Sequence, residues 1–267
     1  MNQPVASRTW KRPPFIQSAL LRWGLWVGLA IYLALAFGSM EIDWGRVGEG
    51  AIRSTRFIAA FFPPDFSSRW DSIYEGIMES LWMTITSTVV GIMLSIPVGL
   101  GAARNLSWRP VYLFCRGILA VSRTFPEIIL AIFFVKLFGF GPFAGFLALS
   151  VGTIGFYGKL LAEDIEDMDP VQAEAIKSVG AGWLQWLNYA VQPQVMPRMI
   201  GLGIYRLDIN FRESAVVGIV GGGGIGATLL TSFDRYEFDS AAAILLVIIG
   251  IVMVMEYSSG YIRRWVQ

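Results

Sequence analysis

Long apolar runs recur along this chain and limit the folds open to it. About 20 apolar residues at ~1.5 Å rise per residue cross a hydrocarbon core of ~30 Å. Such runs occur near 21–39, 79–101, 111–137, 143–162, 195–212 and 240–260. The fifth is the least regular, because Arg198, Arg206 and Asp208 interrupt it. The pattern predicts an all-α integral membrane protein of about six transmembrane helices, since a lipid-embedded backbone must satisfy its own polar groups. Charged residues make up 15% of the chain, against roughly 25% in a soluble domain. The net charge of +1 leaves no footprint for nucleic acid. Histidine is absent, which removes the commonest general base and metal ligand. Cys115 stands alone, can form neither an internal disulfide nor a cysteine cluster, and reads as an inert helix residue. An enzyme would have only carboxylates to work with. The one dense group, Glu163, Asp164, Glu166, Asp167 and Asp169, reads as a solvated helix end.

Ala34-Leu35-Ala36 resembles a leader cleavage site, but the run before it is long for a leader, and Trp23, Trp26 and Tyr32 fit interfacial anchors. A retained span is the preferred reading. Basic residues favour one side of the resulting topology: Arg8, Lys11, Arg12 and Arg22, then Arg104, Arg109 and Arg116, then Lys159, Lys177 and Arg198, then Arg263 and Arg264. That side is expected to be cytoplasmic, with both termini on it, in a bacterial inner membrane. The expected organisation is a cytoplasmic segment at 1–20, a first span at 21–39, an outer segment at 40–78, and a five-helix core at 79–262. The outer segment holds a surface helix over 43–61, ended by Pro63-Pro64.

Residues 216–230, VVGIVGGGGIGATLL, contain a G-x-G-x-x-G match at Gly221, Gly223 and Gly226, and approach a phosphate-loop pattern with Ala227 in place of its lysine. No alternating strand and helix surrounds them, and the topology puts them on the outer side, so a nucleotide site is excluded. Gly221, Gly222, Gly223, Gly224 and Gly226 are read instead as a gate or hinge lining a cavity, because glycine allows positive φ. Alanine at Gly223 and Gly224 is expected to leave folding largely intact and to hinder motion.

The inner connection 163–194 is too structured for a linker. Asp169 suits an N-cap, Pro170 the first helical position, and Gln172 the reciprocal arm of a capping box. A first short helix ends at Gly180; a second runs from Trp183 to just before Pro193. Trp183 and Trp186 read as exposed. Glu174-Ala175-Ile176, Gly180 and Pro193 resemble the EAA loop of ABC-importer permeases of the methionine-importer-like fold. Ile176, Ala190 and Gln192 depart from its pattern.

FFPPD at 61–65, AARNL at 102–106, SRTFPEIILAIFFV at 122–135, GKLLAEDIED at 158–167 and YRLDINFRESAVVGIVGGGGIG at 205–226 resemble the phosphonate-importer permease family, with departures at Asp208 and Gly222. The resemblance implies a type I importer bundle working as a homodimer. Its partners would be two cytosolic ATPase subunits and an external solute-binding protein. ATP and Mg would be held by the ATPase, with no cofactor in this chain. Glu174, Ala175, Ile176 and Gly180 would contact that ATPase. The implied cargo is a phosphonate or a related oxyanion: phosphite, hypophosphite or phosphate.

A charge at mid-bilayer costs about 2.5–3.5 kcal/mol, so each needs a partner or water. Arg123 and Glu127, four apart, can pair along one helix face, as an internal bridge or as part of a pathway. Arg206, Asp208, Asn210, Arg212, Glu213 and Ser214 crowd the end of the fifth span and are read as a pathway for an oxyanion. Lys159, Glu163 and Glu166 share a face and are read as a network joining the fourth span to the inner helices. A permease for another small solute such as an amino acid, an integral-membrane enzyme and a standalone channel are the alternatives.

Overall fold

The structure is a computed structural model that describes residue 16 and residues 18–40 and 42–266, with side chains through residue 262. Arg8, Lys11, Arg12 and Glu41, and the side chains of Arg263 and Arg264, lie outside the described residues. The described residues contain no strand. They fall into two units, divided after residue 58.

The first unit holds α1 (Ala19–Ser39) and most of α2 (Trp44–Ala59). α1 is long and apolar enough to cross a membrane. On α2, Trp44, Val47, Ala51 and Ile58 share one face, while Arg46, Glu49, Arg53 and Arg56 share the other. Arg53 pairs with Glu49 at 2.9 Å.

The second unit is a bundle built around α3 (Trp70–Ala102) and α6 (Pro142–Glu166). α3 starts nine residues before the expected first residue of its span, so the last part of the expected outer segment is already helical. Asp71 and Glu75 belong to its first turns. α3 and α6 run in the same direction with their backbones close, because both present small residues to the seam. A β-carbon on Gly91 would lie 2.5 Å from Thr153, and one on Gly99 would lie 3.0 Å from the Gly158 carbonyl oxygen. Small residues permit this approach, and dispersion then holds the helices where lipid supplies no hydrophobic drive.

The expected third span, 111–137, is two helices, α4 (Arg109–Thr124) and α5 (Glu127–Phe138), bent by 92°. Pro126 lacks an N–H and disfavours helical backbone at Phe125, so it breaks the helix there. After α6 come α7 (Pro170–Ser178) and α8 (Trp183–Trp186). The chain does not stop before Pro193. α8 passes through a π turn, Leu187–Val191, into α9 (Gln192–Val217). The wider turn, with Gln192 N–H donating to Leu187 O, accommodates a proline that cannot donate. A second π turn, Gly218–Gly222, leads to α10 (Gly224–Asp234), bent 56° from the preceding helix, and α11 (Phe238–Val266) closes the chain. Among the described residues four helices are long and apolar enough to span, or up to six if each bent pair counts as one span.

Candidate functional site

At the end of the bundle where α3 finishes, α7 and α8 form a small protruding unit. Asp169 caps α7, its carboxylate accepting from Val171 N–H at 2.9 Å, and Pro170 opens the helix. The reciprocal arm is not Gln172: the Asp169 N–H donates to Gln194 Oε1 at 2.9 Å, which ties α7 to the start of α9. Trp186 is not exposed. It is buried, its indole N–H donates to Ala173 O at 3.0 Å, and the Lys177 ammonium lies 4.5 Å from its ring. Gly180 adopts φ +81 with open space around its Cα, the left-handed turn that glycine takes without penalty. Around that elbow Glu174 and Ala175 are exposed and Ile176 is half-buried. Val171, Val179, Trp183 and Leu184 add a mostly apolar exposed surface.

Arg123 and Glu127 do not pair as their spacing suggests. The 92° break separates Arg123 from Glu127. Arg123 is exposed beside Gly155 and makes no ion pair among the described residues. Glu127, at the start of α5, instead meets Arg206 of α9. One Arg206 Nη2 lies 3.3 Å from both Glu127 and Glu213, while its Nε donates to Thr153 Oγ1 at 3.1 Å. The guanidinium also sits 5.5 Å from the Phe156 ring. Gly152 makes this cluster sterically possible, since a β-carbon there would come within 2.6 Å of the Glu127 carboxylate. Nothing in the sequence singled out Gly152. Asn210, fully buried, donates to Thr88 at 2.7 Å and Thr153 at 3.0 Å; Ser214, also buried, donates to Phe211 O. Asp208 pairs with Arg212, which also reaches Glu256 of α11 at 3.8 Å. Arg206 and Asn210 therefore tie helices together inside one copy, Asp208 and Ser214 bond within α9, and Arg212 stays half-exposed.

Lys159 pairs with Glu163 at 3.4 Å, but the partners of Glu166 are not on α7. It accepts from Arg104 N–H at 2.7 Å and Arg116 at 2.8 Å, and so joins α6 to the α3–α4 connection. Asp164 is not a solvated helix-end residue: it is buried and pairs with Arg198 at 2.8 Å.

Gly221, Gly223 and Gly224 have φ of +101, +75 and +74, so the run does use the backbone region that favours glycine. Gly222 and Gly226 serve packing instead. A β-carbon on Gly226 would fall on the Ala215 carbonyl oxygen, and one on Gly222 would lie 3.2 Å from Gly145. Alanine is not benign at Gly223 either, because its β-carbon would meet Pro142 N at 2.7 Å. Two side chains from α3 hold the run: Glu79 accepts from Gly224 N–H and Ser80 from Ile225 N–H, each at 2.9 Å. With 145 residues between partners, no local pattern announces this clamp.

Residues 95–267 match the family model described as binding-protein-dependent transport system inner membrane component. The chain belongs to that family. A relative from Stutzerimonas stutzeri, the phosphite transport system permease protein PtxC, is 40% identical over 203 residues, covering 76% of this chain and 74% of its own. The phosphate-import permease protein PhnE of Mycolicibacterium smegmatis is 39% identical over 249 residues. This permease-family chain, matched over 93% of its length, spans only 47% of that relative. A chain in inward-facing structures of the MetNI methionine ABC transporter superposes with a TM-score of 0.64 at 24% identity, covering 73% of this chain and 96% of its own. The fold is that of a type I ABC-importer permease.

Proposed function

We propose that the chain is the transmembrane subunit of an ATP-driven importer of a phosphorus oxyanion, without a catalytic site of its own. Two copies would form the pathway. Two cytosolic ATPase subunits, supplying ATP and Mg chemistry, would seat on α7 and α8, and an external binding protein would deliver cargo from the opposite face. The observation that carries the reading is the protruding α7–α8 unit. Its outer surface is apolar and exposed, Trp186 locks α8 to α7, and Gln194 anchors the start of α7 to α9. A push on it would reach the glycine turn at the far end of the same helix. Both termini would then be cytoplasmic.

The relatives named for phosphate and phosphite transport support the cargo class. Within the pathway, Arg123 suits brief oxyanion contact better than Arg206: it is exposed and makes no ion pair among the described residues, whereas Arg206 is enclosed by two carboxylates. Glu127 and Glu213 keep that second cation from gripping an anion. Titrating phosphonate, phosphite, hypophosphite and phosphate into the cognate binding protein, followed by ATP-dependent uptake into vesicles holding the complex, tests the reading. ATP-independent flux through this chain alone would exclude it. Arg123→Gln is expected to cut uptake at least tenfold while leaving assembly intact.

A further inference from the structure

At the end of the bundle opposite α7 and α8, the loop after Pro63-Pro64 and the α10–α11 turn enclose a pocket that the transport reading leaves unused. The two segments are joined firmly. Asp65 N–H donates to Asp239 O at 3.1 Å, Ser68 and Ser240 hydroxyls lie 3.2 Å apart, Arg69 bonds Glu237 at 3.1 Å, and Phe61 stacks on Phe238 at 5.8 Å. Between them lies a cavity of about 540 Å³, lined chiefly by Phe62, Pro64, Asp65, Tyr236, Phe238 and Asp239.

Tyr236 is the residue that needs explaining. It closes α10 in the left-handed conformation, φ +59, with its N–H donating to Phe233 O and Glu237 N–H to Ser232 O, each at 3.0 Å. Helix ends of this kind favour glycine, because a β-carbon there is sterically penalised. Among the described residues Tyr236 is the only non-glycine at positive φ, and the residue is 79% exposed, so burial does not offset the penalty. Strain of this kind, held by surrounding structure, points to a use for the side chain. Its ring stands edge-on to Phe238 at 6.1 Å, and Phe62 is likewise exposed. Asp65 is held as a carboxylate, its pKa lowered to about 2 by the hydroxyl and amide of Ser67 and then by Ser68. Asp239 is exposed at the opposite wall. Nearby Arg69 is engaged by Glu237, and Arg235 sits beside Asp234. Aromatic faces with two carboxylates form a receptor for a cation.

We propose that this pocket receives a lysine or arginine side chain of the external binding protein; the proposal rests on the importer reading. A side chain with a long apolar stem and a charged head matches proline and aromatic walls with carboxylates at the rim. The pocket would then fix where the partner sits over the pathway.

The test measures binding of the cognate, cargo-loaded binding protein to the assembled transporter in phosphatidylglycerol nanodiscs, for the parent and for Phe62→Ala, Tyr236→Gly and Asp239→Asn. Each variant is expected to raise Kd roughly tenfold, the effect of losing one desolvated cation contact. Tyr236→Gly removes the backbone strain, so its thermal midpoint is expected to hold or rise while affinity falls, a split that a structural role would not give. Parent-like affinity in all three variants overturns the pocket and leaves the importer reading standing. A parent that binds no such protein overturns both. A loss seen only in phosphatidylethanolamine nanodiscs assigns the pocket to a lipid amine and overturns the protein partner.

Discussion

At Arg206 a guanidinium 3% exposed faces two carboxylates, both 3.3 Å from the same nitrogen. Removing one partner of a buried ion cluster leaves uncompensated charge, which costs about 3–5 kcal/mol. Arg206→Met is therefore expected to lower the thermal unfolding midpoint in detergent sharply. Adding Glu127→Gln and Glu213→Gln is expected to restore much of the loss, because the charges left behind are then gone. Little change in the single variant would place this cluster in water and not in the bundle. Gly226 raises a steric question at the same scale. Its added β-carbon would strike the Ala215 carbonyl, which cannot rotate aside as a side chain can. Gly226→Ala is expected to destabilise by about 1–3 kcal/mol, whereas Gly28→Ala, with nothing within 4 Å in its own unit, is expected to leave the midpoint unchanged.

Among the elements, the α7–α8 pair separates folding from coupling. Gly180 has positive φ but open surroundings, so a large side chain there meets no neighbour within this copy. Gly180→Trp is expected to insert and assemble normally yet lose ATP-driven uptake, measured in vesicles at matched expression. Normal uptake would remove the elbow from the coupling surface. The start of α7 was legible because Asp169 and Pro170 act on their own helix terminus. Its reciprocal cap was not, because Gln194 approaches from the start of α9, 25 positions away. The same distinction explains the third span. Pro126 acts on its own stretch of chain, whereas the partner of Glu127 at the start of α5 is Arg206 of α9, 79 positions away.

For the whole molecule, the second unit leaves a groove of about 570 Å³ near the start of α3, lined by Tyr74, Glu75, Glu79, Trp82, Pro142 and Phe146. Carboxylates on a membrane-spanning segment are expensive against lipid, so this face is expected to meet a second copy about a two-fold axis. With Cys115→Ser as background, Trp82→Cys is expected to cross-link copy to copy through a short bifunctional thiol reagent, and the detergent complex should have a mass containing two copies. A single copy in a transport-active complex would refute the pairing.

The sequence alone determined the membrane class, the positions of most spans, the short inner helices and the need for glycine around 221–224. Each follows from neighbours along the chain: apolar length, caps, prolines and φ preference are local properties. Tertiary structure decided which charges meet. Arg206 with Glu127, Glu166 with Arg116, Asp164 with Arg198 and Glu79 with Gly224 are all pairings between different helices. An i,i+4 spacing states only who can meet on one straight helix. Once Pro126 turns the chain and small residues bring α3 against α6, the nearest opposite charge belongs to another helix, and in low dielectric that short distance outweighs proximity in sequence.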